Sequence, residues 1–285
     1  MTYSIVARDP QTGELGVAVQ SRAFRVGVCA WARPGVGAVA TQSFTDPGYG
    51  PRGLELLADG RSPADALAEL LAADERSGFR QVAFLDATGR TAAHTGDACI
   101  PDCGHLAREN LSVQGNMLAS PEVWPAAAAG FDAAEGPLAG RLLAALDAAE
   151  EAGGDFRGRQ AAALLVVSGE GARPAWESVV DLRVDDHPEP LAELHRLYGI
   201  WAARQRLAGL GAESSPAEEA ELARAAGLRE DEVALTEALA EAKRGDLDAA
   251  AAALRPLAQA DRRWRAALER YERLGVLPEG VVARL

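Results

Sequence analysis

Two runs near the start of the chain restrict its fold more than any other feature. Residues 2–8, TYSIVAR, and 15–19, LGVAV, alternate side chains with period two and are rich in apolar and β-branched types. Between them lies Asp9-Pro10-Gln11-Thr12-Gly13. Pro10 presets φ and Gly13 tolerates the left-handed region, so the segment reads as a hairpin turn. Leu15, Val17 and Val19 fill one face of the second run, and Gly16 and Ala18, not charges, fill the other. Both faces are therefore expected to be covered, which places the hairpin inside a layered domain.

The same reading continues downstream. Val26 to Trp31 and Val36 to Ser43 are predicted strands separated by an Arg33-Pro34-Gly35 turn. Residues 52–74 are predicted helical with a break at 59–63, where Ser62-Pro63 supplies an N-cap and a first-turn proline. Residues 80–86 and 90–95 form a second hairpin, and 121–151 are helical with an interruption at Gly136-Pro137. Residues 161–168 and 178–184 are strands again. Hairpin-connected strands followed by helices predict an α+β chain, with two stacked, largely antiparallel sheets sandwiched by helices.

After Pro188-Glu189-Pro190 the texture becomes helical, predicting a division into residues 1–188 and 189–285. Ala238, Leu239, Ala242, Gly245-Asp246, Ala249, Ala250, Leu254 and Leu257 resemble a tetratricopeptide (TPR) helix pair, although Pro256 interrupts the pattern. At most two such units are present, and stacked repeats need about three to stand alone. Leu194, Leu197, Tyr198, Trp201, Leu207 and Leu210 form an apolar stripe at helical spacing. The stripe needs cover from the tail's own later helices, the sandwich or a second copy, and the tail is expected to contribute to a homodimer; a protein partner recruited through the C-terminal helices is a further expectation.

Composition narrows the function classes. The net charge of −13 over 285 residues argues against a nucleic-acid partner, which needs a basic face. No apolar run is long enough to span a bilayer, and no signal-peptide pattern is present, so a cytoplasmic location is expected. Three cysteines are too few for a disulfide framework. Lys243 is the one lysine, so the first 188 residues contain none.

Four segments resemble a prokaryotic family of unknown function classed with the N-terminal-nucleophile (Ntn) hydrolases. They are Met1 to Asp9, Gly35 to Gln42, Gln114-Gly115-Asn116 and Asp181 to His187, and the resemblance covers about residues 1–188. Leu15 to Ala23 is also similar to the second strand of proteasome β-type subunits, except that Gln20 stands where the acid would be. The resemblance implies an αββα sandwich and, after removal of Met1 ahead of the small Thr2, an N-terminal threonine nucleophile. Its α-amine, with a pKa near ~8, would take the hydroxyl proton without help from histidine. The strand would set that hydroxyl at a sheet edge, facing a cleft between the sheets. The expected reaction is hydrolysis of a small amide or peptide-like substrate, with no cofactor. The alternative is a threonine without catalytic role on an inherited scaffold, in a non-catalytic binding protein whose tail recruits a partner.

Candidate residues follow. Asn116, in a Gly115-Asn116 turn, and the Gly48 to Gly50 loop are oxyanion donors. Arg33, like Arg22, is the cation available in place of lysine, although an arginine cannot act as a base. Asp185 belongs with Asp181, Arg183, Asp186 and His187 in a charged strand end that would orient the amine or the substrate, or else serve as an ion-paired junction. Gln20, Gln42, His94 and His187 are the expected substrate contacts. His94, Asp97, Cys99, Asp102, Cys103 and His105 gather metal-ligand types at zinc-like spacings. Their order matches no standard finger, so a loop with buried thiols and no metal is expected.

Overall fold

The computed structural model describes residues 2–209 and 214–285. The chain divides into two compact units, Met1–His195 and Arg196–Leu285.

In the first unit, β1 (Thr2–Arg8) and β2 (Leu15–Ser21) form the expected hairpin, in register from Tyr3–Gln20 to Arg8–Leu15. They lie within a sheet ordered β10 (Val180–Val184), β9 (Ala161–Val167), β2, β1, β8 (Leu111–Asn116), β7 (Gly104–Arg108). A second sheet runs β3 (Ala30–Arg33), β4 (Gly37–Ser43), β5 (Arg80–Asp86), β6 (Thr91–Thr95). Among the described residues every strand pairing is antiparallel. β1 sits between β2 and β8, so Thr2 begins an interior strand and not a sheet edge.

The sheets face each other across a core in which Val6, Leu15, Val17 and Val19 meet Ala38, Ala40, Ala83 and Leu85. On the far side of the second sheet, α1 (Tyr49–Ala58) and α2 (Pro63–Ala72) place Tyr49, Leu54, Leu57, Leu67 and Leu70 against Val39, Val82 and Phe84. Ser62 caps α2 by accepting the Asp65 N–H at 3.1 Å, with Pro63 in the first turn. α3 (Val123–Ala133) and α4 (Leu138–Glu151) lie on the first sheet, separated by Gly136 at φ +91°. α4 explains the small residues of β2. A Cβ at Gly16 would come within 2.5 Å of Leu142 Cδ1.

Three segments differ from the sequence expectation. Val26–Cys29 is a 3-10 turn, and β3 starts only at Ala30. β7 and β8 occupy a stretch for which no strand was expected, because His105, Arg108, Ser112, Gln114 and Asn116 hide the strand alternation under polar side chains. Asn116 accordingly ends a strand and does not occupy a turn. β10 begins at Val180, two residues after the expected Ser178.

The boundary falls after His195, not at Pro188. The first turns of α5 (Pro190–Gly209) belong to the first unit because Leu191 and Leu194 are buried and His195 reaches Asp147 of α4 at 2.8 Å. The second unit holds the rest of α5 and α6 (Pro216–Ala225), α7 (Glu230–Lys243), α8 (Leu247–Ala260) and α9 (Arg262–Arg273), each packed on the next from α6 onward. Leu254, Leu268, Leu277 and Val281 centre its core, and Leu207 packs with Ala220, Ala223 and Val233. Pro256 lies inside α8. Of the apolar stripe in α5, Tyr198 and Trp201 stack at 5.6 Å, while Leu210 falls outside the described residues. Among the described residues no helix is long and apolar enough to cross a membrane.

Candidate functional site

Strand alternation decides which face each N-terminal side chain takes. Val6 is in the inter-sheet core, so Thr2 and Ser4 point there too, and Tyr3 points to α4. Thr2 is only 5% exposed. Its hydroxyl donates to Ser21 Oγ at 3.2 Å, and Ser21 Oγ also accepts the Ala23 N–H at 3.0 Å. Directly across on β8, Asn116 is the register partner of Thr2.

Around Thr2 the core is polar. Gln42 Nε2 donates to the Thr2 carbonyl at 3.1 Å, to Gln81 Oε1 at 2.7 Å and to the Gln114 carbonyl at 3.3 Å. Its Oε1 accepts the Ser4 hydroxyl at 2.7 Å, and Ser4 Oγ accepts from Gln114 Nε2 at 2.5 Å. Asn116 Nδ2 donates to Gln81 Oε1 at 2.9 Å. Gln81 Nε2 donates onward to Thr95 Oγ1, Gly104 O and Gly115 O. Ser4, Gln42, Gln81, Ser112, Gln114 and Asn116 are all 3% exposed or less. Such a network fixes amide orientations, because a buried polar atom that turns away from its partner loses a full solvation shell.

Among the described residues four non-glycine positions have left-handed backbone, Arg25 and Asn110 in turns away from Thr2 and two others beside its network. Ser43 (φ 71°) and Met117 (φ 54°) are non-glycine residues in the left-handed region, and they directly follow Gln42 and Asn116. Such conformations cost on the order of 1–3 kcal/mol each and concentrate at functional sites.

A second polar centre lies on the opposite face of the sheet. Glu150 of α4 accepts the Tyr3 hydroxyl and Gln20 Nε2, both at 2.6 Å on Oε2, and Arg159 Nη1 at 3.1 Å on Oε1. Burial and the Glu150 carboxylate raise the Tyr3 phenol well above its ordinary pKa. Gln20 is therefore a structural partner of α4, turned away from Thr2. Beyond Ser21, the buried Asp155 carboxylate accepts the Arg22 N–H at 3.0 Å and the Arg157 N–H at 2.9 Å.

Of the residues singled out in the sequence, Thr2, Gln42 and Asn116 are brought together. Arg33 is not. It pairs with Gly37, at the other end of β4 from Gln42, about 16 Å along the strand at ~3.3 Å per residue. Asp185 follows β10 and uses its carbonyl to accept the Arg25 N–H at 3.1 Å; its side chain is exposed. His187 Nδ1 accepts the Glu189 N–H. His94 lies on the outer face of β6, bonded to the Ser77 carbonyl at 2.9 Å. The Gly48 to Gly50 segment starts α1, with the Gly48 N–H bonded to Asp46 Oδ1. The cysteine and histidine side chains of the 94–105 segment go separate ways. Cys99 Sγ donates to the Arg80 carbonyl, Cys103 Sγ to the Cys99 carbonyl, and His105 Nδ1 contacts Thr95 Oγ1. Among the described residues no three His, Cys, Asp or Glu side chains gather as a metal site.

The sequence reading missed Ser21, Gln81, Ser4 and Gln114. The signal was present as polar side chains at period two, on strands whose other face is apolar. That pattern ordinarily marks a solvent face, and here it marks a polar core.

A search of curated proteins gave no match. The crystal structure of protein SPO2555 from Silicibacter pomeroyi, itself assigned to DUF1028, is similar to this chain at 34% identity and a TM-score of 0.63. The match covers 69% of this chain and 87% of that one. The model of a family of unknown function, DUF1028, matches residues 2–194, which hold the hairpin, both sheets and the polar core. The chain belongs to the DUF1028 family of unknown function.

Proposed function

We propose that the first unit is an Ntn-type amidohydrolase, an αββα sandwich in which Thr2 is the nucleophile on a small amide or peptide-like substrate. The observation that carries this reading is the position of Thr2. It is the first residue of an interior strand, its hydroxyl is held by Ser21, and Asn116 and Gln42 amides flank its backbone. The mechanism requires a mature chain that begins at Thr2. The free α-amine then takes the hydroxyl proton as Oγ1 attacks the substrate carbonyl carbon. Asn116 Nδ2 is the donor closest in register to stabilise the oxyanion. The C–N bond breaks as the amine returns its proton to the leaving nitrogen, and water cleaves the resulting ester by the same base. Ser21 orients the hydroxyl, and Asp155 pins the chain that follows it. The second unit is read as a TPR-like helical tail that contributes to a homodimer, and the protein as cytoplasmic.

The test combines intact-mass measurement with a panel of amide and ester substrates. Loss of Met1, hydrolysis abolished in Thr2→Ala and retained in part by Thr2→Ser are the expected results. Equal activity in wild type and Thr2→Ala would remove Thr2 as the nucleophile, and no activity in the wild type itself would leave the non-catalytic scaffold as the reading.

A further inference from the structure

The four-stranded sheet is narrower than the six-stranded one, and the difference leaves a cleft. β3 is the edge of the smaller sheet, and residues of β9 and β10 at one end of the larger sheet line a cavity with it. The cavity, of about 490 Å³, is within the range of peptide and small-molecule sites. Val28, Ala30, Leu165 and Val167 give it apolar walls. Asp181 and Arg183 point into it from β10, paired with each other at 3.0 Å and each close to half exposed. Trp176, 83% exposed, stands over it. None of these residues belongs to the Thr2 network.

The backbone of β3 is what gives this cleft its chemistry. Val36 O accepts from Ala87 N, so residues 36, 38 and 40 of β4 bond toward β5, and Val39 bonds toward β3. Trp31 is therefore the residue that exchanges hydrogen bonds with Val39. In agreement, the Ala30 N–H turns back to the Gly27 carbonyl and not to β4. By alternation Ala32 directs both its N–H and its C=O outward, into the cleft. An outward N–H and C=O beside an apolar trough, under an exposed indole, is the arrangement an added strand satisfies.

We propose that this cleft binds an extended peptide, which pairs antiparallel or parallel with β3 through Ala32 and seats one large apolar side chain under Trp176. The Asp181–Arg183 pair then holds the polar groups of the flanking residues. A peptide backbone offers a donor and an acceptor at the strand repeat, matching the outward pair on Ala32.

End-capped pentapeptides with a central Phe, Leu, Arg or Glu between threonines are the probe, titrated into the full-length protein. Amide NMR follows Ala32, and calorimetry gives the affinity. Saturable binding is expected to be at least tenfold tighter for the Phe or Leu peptide than for the Glu peptide, with a downfield shift and slowed exchange of the Ala32 amide. Trp176→Ala should weaken it at least tenfold without changing the fold. Ala32→Pro should do the same, because it deletes the outward N–H while the bonds to β4 come from Trp31 and Arg33. No saturable binding by wild type at millimolar peptide would overturn the proposal, as would binding unchanged by Trp176→Ala. A dimer that Ala32→Pro dissociates would overturn it too, by assigning the β3 edge to a second copy. Hydrolysis of the amide panel is expected to be unchanged in Trp176→Ala, so failure here leaves the Thr2 reading untouched.

Discussion

Replacing Gln42 with leucine tests whether the buried amides around Thr2 hold the first unit together or merely fill it. Gln42 is fully buried and makes four side-chain bonds, to Thr2 O, Gln81 Oε1, Gln114 O and from Ser4 Oγ. Nε2 carries two hydrogens shared among its three acceptors, so with the Ser4 bond the loss at about 1 kcal/mol per full bond is about 3 kcal/mol. Two effects moderate it. Gln81 Oε1 keeps Asn116 Nδ2, and leucine, of similar volume, recovers roughly 1 kcal/mol of apolar burial. The expected destabilisation is about 2 kcal/mol, or a Tm lower by roughly 4–8 °C at ~2–4 °C per kcal/mol. Urea unfolding should be followed through hydrogen exchange of β1 and β4 amides, because two compact units need not unfold together. Gln42→Glu should be worse still, since a carboxylate cannot donate to the three acceptors and adds a buried charge. A cycle with Ser4→Ala should return a coupling of about 1 kcal/mol. A Gln42→Leu protein within ~0.5 kcal/mol of wild type would refute the reasoning, because the network would then contribute nothing that an apolar core does not.

Other perturbations probe charge and assembly. Asp74 accepts Arg80 Nε at 2.7 Å and the Tyr49 hydroxyl at 3.1 Å, and the Arg80 guanidinium holds its carboxyl down to about 2. Its folded pKa is depressed, so its stabilisation is present above the unfolded value near ~3.9 and is lost as pH falls through about 2. Asp74→Asn should cost roughly 2 kcal/mol at pH 7 and little at the acid end, by chemical denaturation. His195 donates to Asp147, which raises its pKa above ~6.5. The resulting stabilisation is full below the unfolded value and disappears as pH rises through the folded one, so the Tm gap to Asp147→Asn should close in that direction and the imidazole NMR titration should move down. The homodimer proposal predicts a dimeric full chain by light scattering and a monomeric fragment ending at His195; a monomeric full chain would count against it.

Much of the fold was legible because its outer signals are local. The 2–21 hairpin, the Ser62-Pro63 helix start and the break at Gly136 each follow from a few adjacent residues. β8 was not legible, since its inward Ser112, Gln114 and Asn116 look solvated in isolation, and β7 was hidden by the exposed His105 and Arg108. For the same reason the sequence brought out Thr2, Gln42 and Asn116 through resemblance but not Ser21 or Gln81. Their role exists only once β2, β5 and β8 stand beside β1. Gln20 and Arg33 were misplaced for a different reason. One turns to Glu150 by the pleat of β2, and the other lies at the wrong end of a hairpin whose direction residue types do not reveal.

The two ends of the inter-sheet layer therefore carry different chemistry. Around Leu15, Ala38 and Leu85 it is apolar and closely packed. Around Thr2 it is a set of amides and hydroxyls, followed at Ser43 and Met117 by left-handed backbone. Apolar side chains of equal shape replace buried polar pairs at little or no net cost, so stability alone does not require this end to be polar. Specific orientation does require it. Gln81 accepts from both Gln42 and Asn116, the first bonded to the Thr2 carbonyl and the second its register partner on β8. Its carbonyl thus fixes which way both amide groups point. The polar end is best understood as a frame that holds the first residue of β1 in one position, and Gln42 and Gln81 are the members of that frame that couple the two sheets.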